Sequence, residues 1–276
     1  MDIMQFRGIP LVGVGSQPEE DETLDYMSMP KEMATYQPVL LPEQEALADH
    51  PFVLQLLAQL QTLLQAGQGS LDLSQVNTAD KRLLGQILSE GEVSILFDAD
   101  TQCHLEIQET SLPGVWWHQR LDANKVCCDE SLEVGEIPSL IQQQTFAKAT
   151  PSFELPLATD EQVINAPGLL SELQAALTQA NYTLNLSLLP LSEADLALVS
   201  ACLGIGKTAI LSRGYGNCRI TATAIQRVWW VQYYNSTDTL ILNTLEVADV
   251  PLVACASADD IADSAQRLNE IREALQ

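Results

Sequence analysis

The segment from Gly206 to Pro251 recurs from Gly91 to Pro138, and this duplication limits what the chain can fold into. Trp116-Trp117 matches Trp229-Trp230, Leu132-Glu133-Val134 matches Leu245-Glu246-Val247, and Pro138 matches Pro251. The offset is 113 residues each time (229 − 116, 245 − 132, 251 − 138). Upstream at the same offset, Leu60-Gln61 and Leu64 match Leu173-Gln174 and Leu177, and Leu71-Asp72-Leu73-Ser74 matches Leu184-Asn185-Leu186-Ser187. Between these blocks Ala79-Asp80, Gly91, Ile95 and Cys103 match Ala194-Asp195, Gly206, Ile210 and Cys218 at an offset of 115. A two-residue insertion in the Pro190 loop, cancelled later in the second copy's hairpin, accounts for the change. A period this long is not that of a solenoid with units of roughly 20–50 residues; it is that of a duplicated domain. A length of 276 residues fits two domains, on a prior of about 150 residues each.

Each copy reads as α-β-α-β-β-β-β-α. In the second, runs rich in Val, Ile, Thr, Tyr and Trp between Lys207 and Val247 alternate with Gly, Asn, Ser and Asp, the pattern of four short strands joined by tight turns. Helices are expected over about 42–66 (one helix or a pair), 77–88, 138–147, 162–181, 192–203 and 258–275. Asn77 or Thr78, Ser192 and Ser257 stand as N-caps, and Ser192 with Asp195 forms a capping-box variant. The expected fold is α+β: two tandem copies with mostly antiparallel sheets and helices on one face, preceded by an irregular N-terminal arm. The expected divisions are 1–44 for the arm, 45–150 and 160–276 for the copies, with a linker near 149–156.

Charge narrows the partners. Thirteen basic against thirty-seven acidic residues give −24, which repels nucleic acid and anionic membrane and attracts basic protein surfaces. No run of eighteen apolar residues and no basic-then-apolar N-terminus occurs, so a cytoplasmic protein without a membrane span is expected. Six cysteines without a CxxC pair are expected to stay reduced.

Three sets of residues bear on chemistry. Ala201 to Thr208 ends in Gly206-Lys207-Thr208 like a relaxed phosphate loop. There a helix precedes and a strand follows, the reverse of what phosphate binding needs, so it reads as a helix stop. Cys103, Cys127, Cys128 and Cys218 make the alternative reading, a metal or iron–sulfur site, although adjacent Cys127 and Cys128 in a strand point to opposite faces and buried apolar cysteines are commoner. Three histidines, no G-x-S-x-G and no HExxH leave no catalytic constellation, so no enzyme activity and no cofactor are expected. The arm instead carries Tyr26, Met27, Met29, Met33 and Tyr36, adaptable apolar hooks for a partner or for the protein's own surface. Tyr215, Trp229 and Trp230 complete the expected contact set. If Trp229 and Trp230 share a strand, one anchors a core and the other lies on the second face.

The N-terminal run Ile9 to Glu20, with Leu24 to Pro30 and Met33 to Tyr36, resembles the opening of hydrogenase expression/formation proteins of the HupH/HyaF type. So do Leu191 to Asp195, Gly214 to Gly216, Thr221 to Trp229 and Ala262 to Leu268; Val14 stands where members often carry Pro. The resemblance implies a non-catalytic accessory protein for maturation of membrane-bound nickel–iron uptake hydrogenases, acting on the iron–sulfur small-subunit precursor before twin-arginine export. Other hydrogenase accessory proteins are further expected partners.

Overall fold

A computed structural model describes residues 47, 50–100, 103–155, 162–214 and 216–275, without the side chains of 99, 100 and 103. The arm expected over 1–44 lies outside the described residues. The first copy runs α1 (Pro51–Ala66), β1 (Gly69–Asp72), α2 (Thr78–Leu88), β2 (Glu90–Asp100), β3 (Cys103–Thr110), β4 (Val115–Asp122), β5 (Cys127–Val134) and α3 (Ser139–Gln144). The second runs α4 (Ala166–Ala176), β6 (Tyr182–Asn185), α5 (Glu193–Leu203), β7 (Thr208–Ser212), β8 (Asn217–Ala222), β9 (Val228–Tyr234), β10 (Leu240–Val247) and α6 (Ala258–Ala274). The expected order thus appears in both copies, and the strand pairs are antiparallel. Short 3-10 turns at Leu186–Leu188 and Leu252–Ala254 follow β6 and precede the last helix, respectively.

Local rules set the helix ends. Pro51 begins α1, where its missing N–H costs nothing, and Gly67 ends it in the left-handed conformation at φ +71°. Asn77 accepts the Asp80 N–H at α2, and Ser192 with Asp195 and Ser257 with Asp260 close capping boxes at α5 and α6. Asp80 and Asp195, equivalent at offset 115, also reach the helix that starts each copy. Asp195 Oδ1 accepts the N–H groups of Ile164, Asn165 and Ala166 at 2.8–2.9 Å. Asp80 does the same work through the His50 imidazole.

The described residues form two compact units whose boundaries do not follow the copies. One takes in residues through 147 together with 207–214 and 249–275; the other takes in 148–206 and 216–248. In the first unit the strand order is β1-β5-β4-β3-β2-β7, with Ile95 opposite Ile210. Its core joins Leu57, Leu60 and Leu64 of α1 to Leu84 and Leu88 of α2, Leu132 of β5, and Ile261 and Leu268 of α6. Gln61 donates to the Ala265 carbonyl and Ser264 to the Pro113 carbonyl, both at 2.9 Å. The final helix and β7, expected with the second copy, are therefore built into the unit founded on the first. The second unit has strand order β8-β9-β10-β6 under α4 and α5, with Leu170, Leu173, Val199, Leu203, Trp230 and Leu245 in its core. Residues expected as linker belong to it: Thr150 pairs with Ile225 and Phe153 joins the core.

One corner is built twice. A Cβ on Gly91 would lie 2.2 Å from the Thr110 carbonyl oxygen, and one on Gly206 would lie 2.6 Å from that of Thr223. Only glycine allows that backbone approach. Thr110 Oγ1 bonds both N–H and C=O of Leu112, and Thr223 Oγ1 does so with Ile225. The indoles of Trp116 and Trp229 donate to the carbonyls of Gly135 and Ala248 at 2.9 and 3.1 Å.

Two expectations change. Strand register makes Glu109 opposite Trp116 equivalent to Ala222 opposite Trp229, so Cys218 corresponds to Leu105 and not to Cys103. The two-residue difference is absorbed in the hairpin before that point. Helices also lie on both faces of the first unit's sheet: the Ser139 N–H bonds Glu133, and Thr145, capping α3, bonds Thr208. Glu133 alternates with Leu132, which faces α1 and α2.

Leu268→Ala removes a fully buried side chain from the first unit. We expect a loss of about 2–5 kcal/mol in urea unfolding, with faster amide exchange in α1 and α2 while β8–β10 keep their protection. Loss confined to β8–β10 would contradict the assignment of α6.

Candidate functional site

The first unit carries a cleft of about 720 Å³ between α2 and the adjoining sheet face. Residues three or four apart on α2 share one side, which brings Lys81, Arg82, Gly85 and, just past its end, Ser89 to the cleft. Alternation on the strands brings Gln108 of β3, Trp117 and Gln119 of β4 and Glu130 of β5 to the facing wall. Register then sets neighbours: Gln108 lies opposite Trp117, Glu106 opposite Gln119, and Gln119 opposite Glu130.

Glu130 is the hub of the wall. Lys81 Nζ donates to Oε2 at 2.6 Å, while Gln119 Nε2 and Trp117 Nε1 donate to Oε1 at 2.9 and 3.3 Å. Burial would raise this carboxyl, but the bonds from Lys81, Gln119 and Trp117 hold it below the ordinary range. Glu109, pointing to the other face beside Trp116, has the opposite balance. Burial, aided by the charges of Glu92 and Asp260, pushes it up to about 7 despite N–H bonds from Gly114 and Val93.

The metal-ligating candidates are scattered. Cys127 and Cys128 are both exposed and both line the cleft, although adjacent strand residues were expected on opposite faces. A bulge is the reason: Arg120 pairs with Asp129 and Leu121 with Cys127, leaving Cys128 as the extra residue. Burial and the Glu130 charge raise the Cys127 thiol. Cys218 is buried in the second unit beside Tyr233, and burial pushes its thiol up to about 12, away from the thiolate a metal needs. The Cys103 side chain is outside the described set. Among the described residues, no three His, Cys, Asp or Glu side chains are grouped to hold a metal ion.

Of the expected contact residues, Tyr26, Met27, Met29, Met33, Tyr36 and Tyr215 lie outside the described residues. Trp229 and Trp230 are 0% and 2% exposed, so both sheet faces are covered there and neither indole is presented at the surface. The Gly206-Lys207-Thr208 run follows a helix and enters β7, and Gly206 serves the close corner described above. Sequence reasoning missed the cleft residues. The signal lay in the comparison of copies, where Lys81, Gly85 and Glu130 stand against Leu196, Ser200 and Asn243.

Ionising Glu109 inside the fold is unfavourable, so stability falls as pH rises from about 4.5, where the unfolded chain loses this proton, to about 7, where the folded chain does. Glu109→Gln should remove that segment of the pH dependence, on the order of 3 kcal/mol, in thermal or urea unfolding measured from pH 4.5 to 8.

Comparison with known proteins places the chain. The model of the HupH hydrogenase expression protein, C-terminal conserved region, matches residues 49–150 and again 163–275. The hydrogenase expression/formation protein HupQ of Azotobacter chroococcum mcd 1 is 46% identical over 280 residues, 97% of each chain. HupH of Rhodobacter capsulatus is 38% identical over 95% of each, and the hydrogenase-1 operon protein HyaF of Escherichia coli K12 is 31% identical over 95% of this chain and 94% of its own. A solved structure, hydrogenase expression protein HupH from Thiobacillus denitrificans ATCC 25259, is 32% identical over 40% of this chain and 95% of its own, with a TM-score of 0.36. Near-complete coverage at these identities, with the family model matching both copies, shows that the chain belongs to the HupH hydrogenase expression protein family.

Proposed function

We propose that the chain is a non-catalytic accessory protein of hydrogenase maturation that holds the iron–sulfur small-subunit precursor of a membrane-bound nickel–iron hydrogenase in the cytoplasm before twin-arginine export. The observation carrying this reading is near-full-length similarity to hydrogenase expression/formation proteins, 46% over 97% of the chain. Two properties support it. A charge of −24 steers a precursor bearing a basic signal. The cleft offers hydrogen-bonding and aromatic surface, and its hub carboxylate is held ionised by Lys81 rather than paired with a nucleophile. Among the described residues no helix is long and apolar enough to cross a membrane.

The test is capture of the small-subunit precursor, with and without its signal peptide, by the full chain and by a form lacking residues 1–44, at low salt and without oxygen. Capture that depends on the signal or on the arm is expected; no capture by either form would sink the reading. A second reading, handling of a metal or iron–sulfur cofactor, is favoured only by Cys127 and Cys128 sharing the cleft. It requires stoichiometric metal in anaerobically purified protein that is lost when both are changed to Ser.

A further inference from the structure

The cleft occupies a position that exists twice in the fold, and the two copies have built it oppositely. Trp117, Gln119, Glu130 and Lys81 are half-buried around open space. Their counterparts Trp230, Gln232, Asn243 and Leu196 are 2%, 7%, 6% and 3% exposed. Where Lys81 pairs with Glu130 in the first copy, the second has an apolar leucine and a neutral amide, and Asn243 Oδ1 takes the Trp230 N–H at 2.6 Å. Gly85 belongs to the same contrast. A Cβ there would meet the Trp117 ring at 3.9 Å, an ordinary contact, so packing does not demand glycine. Glycine inside a helix is less favourable than alanine. Its effect is to leave the indole uncovered from the helix side, where the second copy has Ser200.

The sheet wall of the cleft is rich in acceptors. Gln108 gives Nε2 to the carbonyls of Gly91, Val93 and Glu109, and Gln119 gives Nε2 to Glu130. Each amide therefore keeps its Oε1 as an acceptor. Glu106, exposed and opposite Gln119, adds a carboxylate. Lys81 is neutralised by Glu130, and exposed Arg82 is the other lysine or arginine of the lining. A guest that satisfies this wall brings several N–H donors, positive charge and a flat face for the indole. A guanidinium has five donors in one plane and stacks on tryptophan.

We propose that the cleft receives an arginine side chain presented by a protein partner, with its guanidinium over Trp117 and its donors on Glu106 and the Oε1 atoms of Gln108 and Gln119. This deepens the reading of the chain as a binding protein for a hydrogenase component and rests on it.

The test uses the full chain, 15N-labelled, titrated with capped Ala-Arg-Arg-Ala, Ala-Lys-Lys-Ala and Ala-Gln-Gln-Ala. The Trp117 indole signal, identified by its loss in Trp117→Phe, should move with the arginine peptide, at least fivefold more weakly with lysine, and not with glutamine. Glu106→Lys, at an exposed position, and Gly85→Leu, which fills the cleft without changing charge, should each weaken arginine binding at least fivefold while the far-ultraviolet circular dichroism is retained. Equal response to lysine and arginine, or unchanged binding in both variants, overturns the proposal. Precursor capture separates the two levels. Capture by wild type and equally by both variants overturns the cleft and leaves the accessory function standing. No capture by any form overturns the function, and the peptide titration then decides the cleft alone.

Discussion

Both units hang on the close approach of a glycine backbone to the carbonyl of the following strand. Gly91 and Gly206 lie so near Thr110 and Thr223 that any β-carbon would displace the strand. Around each contact the threonine hydroxyl and the tryptophan indole satisfy the carbonyl and amide groups that the corner leaves unpaired. With those groups bonded, the indoles of Trp116 and Trp229 can be wholly buried. The strand register follows from the corner, and through register the side chains that face the helices.

That corner is built alike in both copies, and other positions differ around it. Once the sheet is fixed, exchanging Leu196 for Lys81 or Asn243 for Glu130 alters what the wall of the same frame presents without moving the frame. Buried, the position adds to a core; half-open and charged, it lines a cleft. A duplication of this kind lets the second copy close this position into its core while the first leaves it open.

Much of the fold was legible because its determinants are local. Asn77, Ser192 and Ser257 mark helix starts through hydrogen bonds that span three residues, and strand periods show in alternation. The long offset between the copies exposed their common order. What escaped the sequence was non-local. Nothing in residues 258–274 says which of two similar cores their apolar stripe will fill, because Leu268 suits either by size and shape. The bulge at Cys128 depends on the register of β4 against β5, and without it the two thiols would point apart. The assignment of Cys218 to Cys103 failed for a related reason: identity of letters was followed across a hairpin whose length differs. The cleft was hidden because its signal is a contrast between equivalent positions rather than a motif.

The interleaving of the copies also has a consequence in time. The first copy leaves the ribosome more than a hundred residues before α6 does. Until residues 208–212 emerge, β2 lacks β7 at its outer edge, and until residues 258–274 emerge, the leucines of α1 and α2 lack the helix that covers them. Completion of the early half is thus coupled to synthesis of the late half. A chain that stops short of α6 leaves those leucines uncovered, exposing apolar surface that the full-length fold buries.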